Sequence, residues 1–127
     1  MHRTYETNLA PLPIGPYAQA IQAGNQVYLS GQLPINPETG ELSGPELIDQ
    51  AVQVLKNLQA VLESAGCKIS QIVKVTVYMT DLKDFADFNR LYAKWLGTHA
   101  PARSTVQVAA LPKGARIEID LIAIKEI

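Results

Sequence analysis

The run Ile117-Glu118-Ile119-Asp120-Leu121-Ile122-Ala123-Ile124 constrains the fold more than any other stretch of this chain. Side chains of a strand alternate between its faces, so Ile117, Ile119, Leu121 and Ala123 share one side. Glu118, Asp120, Ile122 and Ile124 share the other. Both faces are partly apolar, and both need cover. Helical cover is available upstream: Leu47, Ala51, Val54, Leu55, Leu58, Leu62 and Ala65 recur at helical spacing between Glu46 and Ala65. Ser43 and Glu46 have capping-box spacing, Pro45 suits the first turn, and Gly66 suits the stop. A second helix is expected from Asp81 or Asp84 to about Leu96, with Phe85, Phe88, Tyr92 and Trp95 along one face. Gly97 and Pro101 end it.

The remaining strands read from alternation and turn chemistry. Two short strands flank Gly24-Asn25, where a tight hairpin fits. Ile72 to Met79 reads as a strand, as do Ser104 to Ala110 and Arg116 to Lys125. The segment up to about Tyr17 reads as extended chain and Pro34 to Gly44 as loop. The order ββ-α-β-α-ββ predicts an α+β fold: a two-layer sandwich in which a mixed sheet of about six strands carries two helices on one face. Two helices cannot cover both faces of such a sheet. A large exposed apolar face is unusual in a monomer, so a closed homo-oligomer with sites at its seams is expected.

Size and composition narrow the classes. The chain has 127 residues, one domain's worth, spanning 1–127. The formal net charge is −1, and no basic stripe interleaved with aromatics is present, which argues against nucleic acid as the main partner. The single cysteine, Cys67, cannot form an internal disulfide and fits a reducing compartment. The N-terminal MHRTYETNLAPLP has no apolar core of a signal peptide, and no run approaches the roughly 20 apolar residues of a membrane helix. A soluble cytoplasmic protein without a membrane partner is expected. His2 and His99 lack metal-ligand spacing, and no glycine-rich phosphate loop is present, so no metal or cofactor is expected.

Several residues could carry chemistry, each with a plainer alternative. Arg103 follows Pro101-Ala102 at a strand start, and its planar fork of donors matches a carboxylate; a salt bridge or solvated strand end is the alternative. Glu118 lies between two isoleucines, so it is either on a solvated face or held by partners in a pocket. Tyr17 follows Gly15-Pro16, and on pattern alone it reads as a packed turn residue. Ser30-Gly31 offers a hydroxyl and a close backbone approach, or a simple strand exit. Asn89 stands near an apolar helix stripe, as a ligand contact or a surface amide. Cys67 reads as packing.

Taken together, these segments resemble the RidA (YjgF-like) family of imine and enamine deaminases. The resemblance runs nearly end to end: GPYAQA at 15–20, LSGQ at 29–32, VTVYMTDLKDFADFN at 75–89, PARSTV at 101–106, then Ala109, Leu111 and Ile117-Glu118-Ile119. The sharpest part is the arginine followed by the glutamate fifteen positions later. The resemblance implies a homotrimer of chorismate-mutase-like fold with clefts between subunits. It implies hydrolysis of 2-imino and 2-enamino acids, such as 2-aminoacrylate, 2-iminopropanoate and 2-iminobutanoate, to a 2-keto acid and ammonia, without a cofactor. By the same resemblance Arg103 holds the substrate carboxylate, and Glu118 serves the attacking water. Tyr17, Ser30, Gly31, Asn89 and Thr105 line the cleft. Thr105 stands where many members carry cysteine, and the segment between Asn89 and Arg103 is a few residues short. A carboxylate-binding or protein-interaction module is the alternative function, and an RNA-cleaving translation inhibitor is a third.

Overall fold

The structure, a computed structural model, describes residues 2–126; Met1 and Ile127, the ends of the expected 1–127 domain, lie outside the described residues. In chain order the elements are β1 (His2–Tyr5), β2 (Ala20–Ala23), β3 (Gln26–Gln32), α1 (Leu47–Ser64), β4 (Ile72–Met79), α2 (Phe85–Leu96), β5 (Ala102–Gln107) and β6 (Ile117–Ile124). The six strands form one mixed sheet in the order β1-β2-β3-β6-β4-β5. All pairs are antiparallel except β4 with β5. The constraining run therefore became an inner strand, between β3 and β4.

This topology explains the position of the helices. Strands β3 and β4 run the same way, because β6 is antiparallel to both. The α1 crossover links β3 to β4, and the α2 crossover links β4 to β5, each moving in the same direction across the sheet. Crossovers of one hand then lie on one face. That face carries Val27, Leu29, Val75, Val77, Met79, Ile117, Ile119, Leu121 and Ala123, packed with Val54, Leu58, Val61 and Leu62 of α1 and Phe88 and Tyr92 of α2. Burying each large aliphatic or aromatic residue of this core contributes about 1.5–3 kcal/mol.

The other face stays open in the protomer, as the strand pattern implied. Tyr28 and Val106 are exposed there, and Ile21, Ile122 and Ile124 are half-buried beside them.

Three local expectations need adjustment. Residues 2–5 form a sixth strand rather than loose extended chain, because their backbone pairs with β2 along its whole length. Strand β5 spans Ala102–Gln107, not Ser104 to Ala110: its partner β4 offers backbone only from Lys74 to Met79. Ser43 does not cap α1; Glu46 occupies the N-cap without a side-chain bond, and Ser43 Oγ donates to Gln53 Oε1. Of the two aspartates, Asp84 occupies the N-cap of α2, while Asp81 accepts from the Lys83 N–H in the turn before it.

Candidate functional site

Two clusters form, one on each side of the sheet. The first is built on the edge strand β5. Arg103 is the register partner of Val75, a buried residue beneath the helices, so its side chain rises on the helix face. There it meets Phe85, Asn89 and Tyr92, which α2 presents at spacings of four and three residues on one side. The guanidinium carbon lies 4.9 Å from the Tyr92 ring centroid and 5.2 Å from that of Phe85. Arg103 Nη1 donates to Asn89 Oδ1 at 2.7 Å. Aromatic faces attract the cation, and the amide fixes the rotation of its plane. A guanidinium has five N–H donors, and among the described residues only Asn89 accepts one of them. The others remain available to a planar two-oxygen anion.

A cleft of about 480 Å³ opens beside this arginine, lined by Asn89, Tyr92, Leu96, His99, Pro101 and others. His99 Nε2 lies 2.6 Å from the Ile72 carbonyl, which ties the 97–101 loop to β4 and makes Nε2 the protonated nitrogen. Two buried hydroxyls near Arg103, Tyr92 Oη and Thr105 Oγ1, have no hydrogen-bond partner within the protomer. Burial pushes the Tyr92 hydroxyl above its ordinary pKa, partly offset by the Arg103 charge.

The second cluster lies on the open face. Between Leu29↔Leu121 and Gln32↔Ile119, strand β3 has two residues, Ser30 and Gly31, against the single Asp120 of β6. This is a β-bulge. It brings the Gly31 backbone under Glu118, whose register partner is Tyr78. A Cβ at position 31 would fall 2.9 Å from Glu118 Cδ and nearer still to its Oε2. A side chain here would displace the Glu118 carboxylate from this position. Burial, helped by the Asp120 charge, raises the Glu118 pKa above its ordinary value. Ser30 Oγ donates to the Ala18 carbonyl at 2.6 Å, so its proton is already committed. Tyr17 N–H donates to the Gly15 carbonyl at 2.8 Å in a tight turn, and the Tyr17 ring packs over Gly15. Tyr17 and Gly31, with Ile14 and Lys113, line a second cleft of about 260 Å³.

The structure thus gathers Arg103, Asn89 and Thr105 in one place and Tyr17, Ser30, Gly31 and Glu118 in another. It does not bring the two groups together within one protomer. Among the described residues, no group of three His, Cys, Asp or Glu side chains is placed to hold a metal ion. No described helix is long and apolar enough to cross a membrane.

Residues 7–125 match the model of the Endoribonuclease L-PSP family. The chain belongs to this family. Among its L-PSP relatives, a RutC family protein of Pyrococcus horikoshii is 51% identical over 120 residues, covering 94% of this chain and 95% of that one. The 2-iminobutanoate/2-iminopropanoate deaminase of Dermatophagoides farinae is 46% identical over 124 residues, 98% of this chain and 97% of that one. The crystal structure of E. coli TdcF with bound serine superposes with a TM-score of 0.93 at 42% identity, covering 98% of this chain and 99% of that one. The α+β architecture expected from the order of elements is that of these L-PSP relatives.

The apolar spacing of α2 places Phe85 and Tyr92 on one helix face without linking them to Arg103. Their spacing with Asn89 was the available signal: 85, 89 and 92 form one helix stripe with a polar member, and a cation on the facing strand completes it.

Proposed function

We propose that this protein is a hydrolytic deaminase of small 2-imino and 2-enamino acids, working at clefts between the subunits of a homotrimer. One observation carries the reading: a clamped arginine with free donors and a half-buried glutamate stand on opposite sides of one sheet. Such a pair can act on one small molecule only if the arginine comes from one subunit and the glutamate from the next. The open apolar face supports assembly, since it calls for a neighbour. The relative named 2-iminobutanoate/2-iminopropanoate deaminase supports the chemistry. The serine held by TdcF supports a site for a small molecule with a carboxylate and a nitrogen on the next carbon.

The chemistry follows from these groups. An enamine such as 2-aminoacrylate tautomerises to its imine. Arg103 grips the carboxylate bidentately, with Asn89, Phe85 and Tyr92 holding the fork steady. Glu118 takes a proton from a water as its oxygen bonds to C2 and the C=N electron pair moves to nitrogen. Glu118 returns that proton to the nitrogen. Glu118 then takes the carbinolamine's hydroxyl proton and passes it to the nitrogen, the O–H electron pair forms the C=O bond as the C–N pair leaves with nitrogen, and a 2-keto acid and ammonia are released. A carboxylate serves both directions best when its pKa sits near the working pH, and burial moves Glu118 that way. General acid–base help of this kind is worth roughly 10²–10⁴-fold. Tyr17 contacts the substrate or the water, Gly31 gives Glu118 its room, and Ser30 can only accept. Thr105 supplies a hydroxyl where a thiol is common, and hydrolysis by water needs no thiolate.

The test is a coupled assay in which a serine or threonine dehydratase generates the imine and its decay is followed with and without this protein. Faster decay, lost in a folded Arg103→Ala variant, is the expected result. Undiminished decay with that variant overturns the assignment of Arg103. Binding of a keto acid without faster decay would instead favour a carboxylate-binding module. RNA cleavage that survives purification and vanishes with Arg103→Ala would favour the activity in the family's description.

A further inference from the structure

The open sheet face carries a second carboxylate that the mechanism above does not use. Glu118 and Asp120 lie two residues apart on one side of β6, about 6.6 Å along the strand. On neighbouring β4, Tyr78 is the direct register partner of Glu118, and Thr76 is that of Asp120. Yet Tyr78 Oη reaches diagonally and donates to Asp120 Oδ2 at 2.9 Å. Glu118 accepts no hydrogen bond from a described residue. The tyrosine therefore fixes one carboxylate of the pair and leaves the other free beside Gly31.

We propose that Asp120, anchored by the Tyr78 hydroxyl, is a positioning residue for Glu118: a fixed negative charge on the same face that keeps Glu118 ready to hold a proton. The inference rests on the reading of Glu118 as the group that serves the water. Like charges at this range disfavour double ionisation, and the effect is strongest where water is partly excluded. The bulge brings Gly31 against Glu118, and Tyr78 is its neighbour across the strand pair. Asp120 contributes to the raised Glu118 pKa, and the bond to Asp120 raises that of Tyr78, which keeps its hydroxyl a donor.

Other charges facing this site are turned elsewhere. On β4, Lys74 donates to Ser104 Oγ at 2.9 Å. On β3, Tyr28 donates to Gln26. Lys113, in the lining of the cleft, donates to the Gly40 carbonyl at 3.3 Å, and Arg116, two residues before Glu118 in the chain, lies 3.7 Å from Asp84. Tyr17 closes the cleft rim. In the proposed trimer, the neighbour's Arg103 also faces Glu118 and opposes Asp120, so the working proton affinity is a balance between the two.

The experiment compares wild type, Asp120→Asn, Asp120→Glu and Tyr78→Phe. First, the Glu118 side-chain carboxyl is titrated by carbon-13 NMR, with the signal assigned by its loss in Glu118→Gln. The expected midpoint falls in Asp120→Asn, falls less in Tyr78→Phe, and returns toward wild type in Asp120→Glu. Second, the kcat–pH profile of imine decay is measured. The acid limb is expected to move to lower pH in Asp120→Asn, with a lower plateau and a nearly unchanged KM. Loss of structure alone would reduce amplitude without moving the limb. A Glu118 midpoint that stays put in Asp120→Asn overturns the proposal. If Asp120→Asn does not fold, an unmoved midpoint in Tyr78→Phe overturns it instead. Absence of turnover in wild type would count against the proposed function, while the NMR titration would still decide the coupling.

Discussion

Arg103 and Glu118 stand on opposite faces of one sheet, the first beside Val75 under the helices and the second beside Tyr78 on the open side. No side-chain rotation brings them together, because the sheet lies between. If they serve one site, each protomer gives its arginine to one neighbour and its glutamate to the other. Two inactive variants should then rescue each other. Co-refolding Arg103→Ala with Glu118→Gln in equal amounts is expected to restore about a quarter of wild-type sites in a random mixture of trimers, since every mixed trimer holds one intact pair. Imine decay measured before and after mixing checks this. No recovery in hybrid trimers verified by mass spectrometry would return both residues to a single subunit.

The Asn89 amide accepts from Arg103 without neutralising it. Asn89→Asp places a carboxylate at the same distance, and the resulting ion pair competes with the substrate. A KM increase of about tenfold or more is expected, with a smaller change in kcat. Arg103→Lys is expected to keep only part of the activity, because an ammonium lacks the planar fork. Steady-state kinetics with the coupled assay separates the two effects.

At Gly31, an added methyl meets the Glu118 carboxylate directly. Glu118 must swing off the bulge or the backbone must shift. Gly31→Ala is expected to cut kcat by about tenfold or more while destabilising the fold by only about 1–3 kcal/mol, the usual range for overpacking. Thermal melting beside kinetics measures both. An active Gly31→Ala enzyme would show that Glu118 does not need its seat.

Glu118 also links stability to pH. Its folded pKa is raised by burial and then by Asp120, so its ionisation favours the unfolded chain. The associated stability is complete below the ordinary value of 4.5 and is lost as pH rises through the folded value. Glu118→Gln cannot ionise and escapes this loss. In an Arg103→Ala background, which removes the neighbour's opposing cation, Glu118→Gln is expected to melt above its parent at pH 8, with the gap closing as pH falls to about 4.5. Melting curves across that window test it. A Gln variant of that background that melts lower at pH 8 would mean that a cation other than Arg103 pairs with Glu118.

Much of the architecture was legible in particular residues. The apolar spacing from Leu47 to Leu62 marked α1, and Gly66, with φ +74°, stops it as expected. The alternation from Ile117 to Ile124 marked β6 and left one face short of cover. These patterns are local: a 3.6-residue or two-residue period selects the element, and whichever face is apolar must be buried. The end of β5 and the first-segment strand were not legible, because backbone pairing ends where a partner strand ends. That partner can lie tens of residues away.

The candidate site divides along the same line. That Arg103 and Glu118 are unusual could be read from their neighbours in the chain, since a guanidinium after Pro101 and a carboxylate between isoleucines both demand partners. Only the tertiary structure decided who those partners are. The β4–β5 and β4–β6 registers set the two residues on opposite faces, the α2 stripe of Phe85, Asn89 and Tyr92 closes on the arginine, and a one-residue bulge seats the glutamate on Gly31. Side-chain direction in a sheet flips with every residue of register, and register is a property of paired strands rather than of either sequence alone.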